Sequence, residues 1–221
     1  PTIPLNDSCS TATVIPGGNV PGGITNFNPL DVDVFYATTG LCDPDASCIR
    51  GDETLFHSVW YTFTPEFRGS INVNTVGSGY DTVLLIRSSC PTALIGPGGQ
   101  VTCITGTGLA CNDNISAANL DSQILNFPVT GGTTYRFMVA SKNQFVPNGN
   151  GDGILDFNFQ YAAVACPADF NADGTLDPDD LADYISAFFS QPPAQSADFN
   201  GDGAVDPDDL ADYINAYFAG C

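Results

Sequence analysis

Through the first 160 residues apolar and polar positions alternate with a period of two, the spacing that turns one face of a strand into a core. Residues 58–65 (SVWYTFTP) put Val59, Tyr61 and Phe63 on one side, and residues 70–76 (SINVNTV) do the same with Ile71 and Val73. Residues 133–141 (TTYRFMVAS) alternate through Tyr135, Phe137 and Val139. Residues 153–162 (GILDFNFQYA) alternate through Leu155, Phe157, Phe159 and Tyr161, and residues 81–89 (DTVLLIRSS) read as a more buried run. Turn signals separate them: residues 65–69, Gly77-Ser78-Gly79, Gly96-Pro97-Gly98-Gly99 and Gly131-Gly132. No stretch before residue 165 has a helical period. The pattern predicts a mainly β fold, an antiparallel, jelly-roll-like β-sandwich over residues 1–163.

Beyond residue 163 the period changes. Leu181, Tyr184, Ile185 and Phe188 are spaced as one face of a helix, and so are Leu210, Tyr213, Ile214 and Tyr217. Each pattern follows an Asp-Pro-Asp-Asp, which supplies an N-cap, a proline at the first helical position and acids at the positive end of the helix dipole. Residues 164–221 are therefore expected to form a small α-helical module of loop-then-helix, twice. The junction Ala162-Ala163-Val164-Ala165 is short and apolar, which predicts that the module packs on the sandwich rather than hanging from a linker.

The module is a duplication. Residues 168–189 and 197–218 agree at 17 of 22 positions with an offset of 29. With Asp169 at position 1, Asn171 falls at 3, Asp173 at 5, Gly174 at 6, Thr175 at 7, Asp177 at 9 and Asp180 at 12. The second copy gives Asp198, Asn200, Asp202, Gly203, Ala204, Asp206 and Asp209. This is the twelve-residue EF-hand calcium pattern. Oxygens at 1, 3, 5, 9 and 12 turn inward, position 7 offers its carbonyl so that Thr175 and Ala204 serve alike, and Gly at 6 permits the sharp turn. Position 12 is Asp in both copies where Glu is usual, and Cys166-Pro167 leaves no room for a helix before the first loop.

Composition sharpens this. Of 25 acidic residues only Glu53 and Glu66 are Glu, and the bases number 5, for a net charge of −20. Asp suits oxygen cages built on loops, whereas a merely solvated acidic surface mixes in Glu. Twelve acids and no base lie after residue 164. Such a charge argues against nucleic acid and anionic membranes, and for divalent cations. No apolar run approaches the length of a membrane helix, so no membrane insertion is expected. Pro1 reads as a mature terminus after signal removal or as a cut end.

Eight cysteines with no C-x-x-C pair and a single His57 point to disulfides in an oxidising compartment, hence a secreted or cell-surface chain. Cys166 and Cys221 flank the module, and a bond between them would contribute about 4 kcal/mol by chain entropy. The other six allow fifteen pairings, of which Cys90 with Cys111 is the one taken here.

Within the sandwich, Asp81 and Asp113 (in Asn112-Asp113-Asn114) are candidates for a third calcium site; the alternative is that Asp81 caps a turn and the Asn/Asp cluster forms one. Residues 148–156 imitate a calcium loop, but Phe159 stands at its position 12, so a Gly-rich hairpin is the simpler reading. Arg50-Gly51-Asp52 matches an adhesion tripeptide and reads as a solvated turn, while Asn6 and Asn114 stand in glycosylation acceptor patterns.

Two resemblances follow from these motifs. The succession Asn6-Asp7-Ser8-Cys9, Ser58 to Pro65, Tyr80-Asp81-Thr82-Val83-Leu84, Ala110 to Asn114 and Gly131 to Tyr135 resembles bacterial pre-peptidase C-terminal-like domains, which implies a secreted, non-catalytic β-sandwich with a binding or assembly role. Residues 166–221 resemble the dockerin module, which implies paired calcium loops with Asp at position 12 and docking onto cohesin domains. Dockerins commonly carry small hydroxyl residues at loop positions 10 and 11; here these are Pro178-Asp179 and Pro207-Asp208, so the implied partner is an unusual cohesin-like domain or another copy of this chain. One histidine, two glutamates and no expected free thiol leave little for catalysis, and no enzyme is expected. The expected function is calcium-dependent self-assembly into head-to-tail oligomers or filaments. The alternative is an accessory module of an extracellular hydrolase complex, binding a cohesin or carbohydrate.

Overall fold

The alternation at residues 58–65 becomes the strand β4 (Phe56–Phe63), with Val59, Tyr61 and Phe63 almost wholly excluded from solvent. The structure, a computed structural model, describes residues 2–17, 23–29, 32–40, 42–43, 47–49, 54–142, 153–164, 166–171 and 173–220. The adhesion-like tripeptide at 50–52, the calcium-loop mimic from 148 to 152, and Cys221 lie outside the described residues.

Strand β4 sits second in a five-stranded sheet that runs β1 (Thr13–Ile15), β4, β11 (Tyr135–Ser141), β6 (Thr82–Arg87), β9 (Gly108–Asn112). A four-stranded sheet runs β10 (Gln123–Val129), β5 (Gly69–Asn74), β13 (Asn158–Ala163), β2 (Ile24–Phe27). Two ribbons complete the β structure: β3 (Val32–Asp33) with β12 (Ile154–Leu155), and β7 (Thr92–Ile95) with β8 (Val101–Ile104). The chain is mainly β, and its main sheets pack as a sandwich. Among the described residues, no helix is long and apolar enough to cross a membrane.

One sheet pair departs from the antiparallel expectation: β1 runs parallel to β4, in register Thr13 to Tyr61. A parallel neighbour needs a long crossover, and the chain makes one, visiting β2 in the opposite sheet before it returns as β4. The single strand expected over 153–162 is two. Leu155 pairs with Val32 in the ribbon, the Asp156 N–H turns aside to Ser78 Oγ at 3.1 Å, and pairing resumes at Asn158 opposite Asn74.

The inner faces of the two sheets meet in one core, where Tyr61, Phe63, Leu84 and Phe137 face Ile71, Val73, Phe159 and Tyr161. Phe157 stacks on Tyr61 with ring centroids 4.0 Å apart and planes within 7°. The five-stranded sheet has a second core on its far side, from Leu55, Trp60, Val83, Leu85, Met138 and Ala140, with Cys9, Cys48 and Cys111 against it. Covering on both faces is why all six residues of β6 are buried and why its sequence does not alternate.

That second core is sealed by disulfides Cys9–Cys90 and Cys48–Cys111; a third, Cys42–Cys103, ties down the β7–β8 ribbon. The Cys90–Cys111 pairing is therefore wrong. Cys111 sits opposite Leu85 across the β6–β9 pair, while Cys90 lies beyond the end of β6 at Arg87. The chain leaves the β6–β9 pair before it reaches Cys90, whose partner is Cys9 on the N-terminal segment. Cys166 is disulfide-bonded.

Replacing Phe157 by Ala is expected to cost about 3–5 kcal/mol of sandwich stability, since it opens a cavity against Tyr61 in a core that has no slack. Leu125→Ala, at a position 52 % exposed, should change stability by only about 0.5 kcal/mol. Urea unfolding followed by tryptophan fluorescence checks both; equal costs would refute this assignment of the core.

Candidate metal centre

Each acidic loop is wound onto its own backbone, and the two windings share most of their bonds. The position 1 carboxylate accepts the N–H of position 6: Gly174 N to Asp169 Oδ2 at 3.0 Å, and Gly203 N to Asp198 Oδ2 at 2.9 Å. Position 3 accepts from position 5: Asp173 N to Asn171 Oδ1, and Asp202 N to Asn200 Oδ1, both 2.9 Å. Position 5 accepts from position 7, Thr175 N to Asp173 and Ala204 N to Asp202, again both 2.9 Å. The sharp turn falls on Gly174 (φ 94°) and Gly203 (φ 92°), backbone angles that favour glycine.

Position 12 closes each loop and starts each helix. Helix α1 (Pro178–Phe188) is capped by Asp177, which accepts from Asp179 N at 2.8 Å, while Asp180 Oδ2 accepts from Asp177 N at 2.9 Å. Helix α2 (Pro207–Ala219) repeats this with Asp206, Asp208 and Asp209, each bond at 2.9 Å. The other oxygen of Asp180 reaches back to Asn171 N at 3.2 Å, and that of Asp209 to Phe199 N at 2.8 Å and Asn200 N at 3.1 Å. The Asp-Pro-Asp-Asp sequence is thus a reciprocal capping box whose second carboxylate also ties down the loop.

The two copies are held together by a crossed pair of tyrosines. Tyr184 and Tyr213 stack with centroids 3.8 Å apart and planes within 2°. Tyr184 OH donates to Ala197 O, just before the second loop, and Tyr213 OH donates to Ala168 O, just before the first, both at 3.0 Å. Phe170 and Phe199 stand edge-on to this pair. Each helix therefore fixes the entrance of the other copy's loop, and the 29-residue offset becomes a two-fold axis. These tyrosines and alanines were read only as parts of a helix face and a repeat. The stripe itself is adjusted: Ile185 is 40 % exposed, and Tyr184 alone of its four residues is fully buried.

Asp180 and Asp209 are fully buried, yet no cationic side chain follows residue 164. Backbone N–H donors, first that of Asp206, hold the Asp209 carboxyl below the usual carboxylate range. Asp173 is lowered by the Thr175 N–H and hydroxyl. Asp169 is raised by burial, with the charge of Asp180 adding to the effect and the Gly174 N–H opposing it. Burial, then the nearby charge of Asp209, pushes the Tyr184 phenol up to about 12.

Among the described residues, no three His, Cys, Asp or Glu side chains converge as a ready-made cluster. The carboxylates of each loop are turned onto its own N–H groups. The donor set still fits a hard divalent cation, because every side-chain donor is an Asp or Asn oxygen and the sixth is the carbonyl of Thr175 or Ala204.

Among the described residues, the sandwich packs closely on the first loop at Gly174, while the second loop is open at Gly203. Val164 N donates to Arg68 O at 2.9 Å as the chain leaves β13. Gly174 then comes so close to Phe67 that a Cβ there would sit 2.8 Å from the ring, whereas a Cβ at Gly203 would meet nothing within 4 Å. A pocket of about 280 Å³ lies at this seam, between Arg68, Thr130 and Gly131 on the sandwich and Asp169, Thr175 and Leu176 on the loop.

The other candidate pair, Asp81 and Asp113, is gathered at one end of the sandwich around Lys142. Its ammonium lies 3.0 Å from Asp113 Oδ2, and its N–H donates to Asp81 O at 3.0 Å. Ser122 Oγ ties the Asp113 carbonyl to that of Thr82, at 2.8 and 2.7 Å. Asn112 Oδ1 accepts from Gln123 N at 2.8 Å, so part of this Asn/Asp cluster serves the turn itself. His57 Nδ1 pairs with Ala37 O at 2.8 Å, a packing role.

No protein-family model matches this chain, and no curated protein matches it. Among solved structures it is similar to a Bacillus thuringiensis Cry1Da tryptic core variant, with 12 % identity over 71 % of this chain and 25 % of that one and a TM-score of 0.26. It is also similar to the insecticidal crystal protein Cry2Aa, with 11 % identity over 65 % of this chain and 22 % of that one and a TM-score of 0.25. The chain spans about a quarter of the length of those structures, and likeness at this level carries no argument about function.

Proposed function

We propose that this chain is a secreted, non-catalytic calcium-binding structural protein whose C-terminal, dockerin-like module docks onto a neighbouring copy, giving head-to-tail oligomers or filaments. The observation that carries the reading is the shared winding of the two loops, in which positions 1, 3 and 5 accept the same backbone N–H groups in both copies, each with an oxygen donor at every position that a calcium loop uses. Asp169, Asn171, Asp173, Asp177, Asp180 and the Thr175 carbonyl would hold one ion; Asp198, Asn200, Asp202, Asp206, Asp209 and the Ala204 carbonyl would hold the other. Each ion would offset part of a charge that no side chain of the module balances.

The docking face is assigned to the second copy. The Pro-Asp pair at the helix start is exposed in both copies, but the first loop is seated on the chain's own Phe67, while the second is open at Gly203. Docking through the second copy alone would give head-to-tail addition rather than a branched network. The disulfides fit an oxidising, extracellular setting.

Chelation is expected to unfold the C-terminal module and spare the disulfide-tied sandwich. Far-UV circular dichroism should lose most of its helical signal on adding chelator and regain it with calcium, while tryptophan fluorescence from Trp60 stays constant; an unchanged helical signal refutes the metal sites. Asp169→Ala and Asp198→Ala should each remove one of two calcium ions per chain in equilibrium dialysis. Light scattering should show particles that grow in calcium and disperse in chelator, and Asp208→Lys should reduce that growth more than Asp179→Lys. A monomer in calcium that captures a cohesin would instead favour the accessory reading.

A further inference from the structure

The outer face of the four-stranded sheet carries a patch of amides, with Ile24, Ala162 and Ser70 in register beside it. Strands β2, β5, β10 and β13 contain not one charged residue, in a chain of net charge −20. Their inward positions fill the core. Outward, three neighbouring strands present Asn26 and Asn28, Asn158 and Gln160, and Asn72 and Asn74, which line an open groove of about 230 Å³.

These side chains form two ladders across the strands. In one, Asn28 Nδ2 donates to Asn158 Oδ1 at 2.6 Å and Asn158 Nδ2 to Asn74 Oδ1 at 3.2 Å. In the other, Asn72 Nδ2 donates to Gln160 Oε1 at 3.2 Å and Gln160 Nε2 to Asn26 Oδ1 at 3.3 Å. Backbone groups set their direction. Asn126 N–H occupies Asn72 Oδ1 at 2.8 Å and Val76 N–H occupies Asn74 Oδ1 at 3.1 Å, so each of those amides must point its NH2 group away from the bond. The result is a fixed array of paired donors and acceptors, about 10 Å across the strands and 7 Å along them.

We infer that this face binds a neutral glycan. A sugar hydroxyl both donates and accepts, which matches an amide that presents both functions side by side. Cross-strand bonds fix the side chains before binding, which lowers the entropy cost of ordering them. The absence of any cation on the face, and the acidity of the chain as a whole, select against uronic acids and sulfated sugars. A protein partner fits less well, because protein interfaces are anchored by apolar and aromatic side chains and the centre of this patch offers none. The inference is independent of the calcium-dependent assembly proposed above and concerns the opposite end of the chain's chemistry.

The test is calorimetric titration of the full chain, with and without calcium, against hexaoses of glucose, mannose and N-acetylglucosamine, and against alginate and hyaluronan fragments of like size. At least one neutral hexaose should bind, and the anionic fragments should bind about tenfold more weakly or not at all. Asn26→Ala with Gln160→Ala should weaken binding about tenfold or more with no change in melting temperature; Asn28→Ala alone, on the edge strand, serves if the double variant melts early. The inference is overturned if no neutral hexaose binds, if binding survives both variants undiminished, or if the variants dissociate an oligomer instead.

Discussion

Everything beyond the sandwich is organised by a repulsion. Twelve aspartates and no cationic side chain follow residue 164, in a segment whose fully buried apolar residues are Ala168, Tyr184, Ala197 and Tyr213. Two carboxylates about 5 Å apart repel by about 3 kcal/mol at an effective dielectric constant of 20, so each loop must answer its own charge. It does so with the donors nearest to hand, the backbone N–H groups of positions 3, 5, 6, 7, 9 and 11. Those bonds set the curl of the loop, the curl sets the helix start, and the helices bring the tyrosines face to face. The proposed cations would enter a loop already shaped by the same carboxylates, turning a set of charges that oppose folding into the set that drives it.

The sandwich meets the opposite difficulty. Its strands are nearly free of acids, and its stability rests on apolar burial. The five-stranded sheet is covered on its outer side by the N-terminal segment and by residues 48–49, which the Cys9–Cys90 and Cys48–Cys111 bonds hold in place. On the four-stranded sheet, outward Asn26, Asn72, Asn74, Asn158 and Gln160 are amides that bond to one another across the strands. Asparagine is a poor strand former when alone. In a ladder, its neighbours supply the partners that it would otherwise seek from its own backbone.

Much of this was legible in the chain. Period-two patterns located β4, β5 and β11, an unbroken apolar run located β6 because both its faces meet a core, and the loop-then-helix layout was readable because capping residues stand at fixed offsets. Short edge strands such as β1 and β2 gave no such signal: three or four residues do not make a period. The disulfides were illegible for a different reason. Cys111 meets Cys48 only because β9 pairs with β6 in a register that no local pattern encodes. The crossed bonds from Tyr184 to Ala197 and from Tyr213 to Ala168 were present in the repeat as identities but invisible as contacts, since a duplication does not say which copy touches which.

That last point bears on how the module would work. A two-fold repeat offers two equal faces, and two equal docking faces per chain would give branched or closed assemblies. The chain breaks the equality after making it. The Arg68 carbonyl accepts the N–H of Val164, and Gly174 is close to the ring of Phe67. Glycine is needed at position 6 for its φ in both copies, but in the first copy the close approach of Phe67 excludes a side chain a second time. The first loop is thus packed on the sandwich while the second is open at Gly203. Two repeats that differ at only five of 22 positions sit in unequal surroundings, and in the proposed head-to-tail assembly that inequality is what would give the subunit a direction.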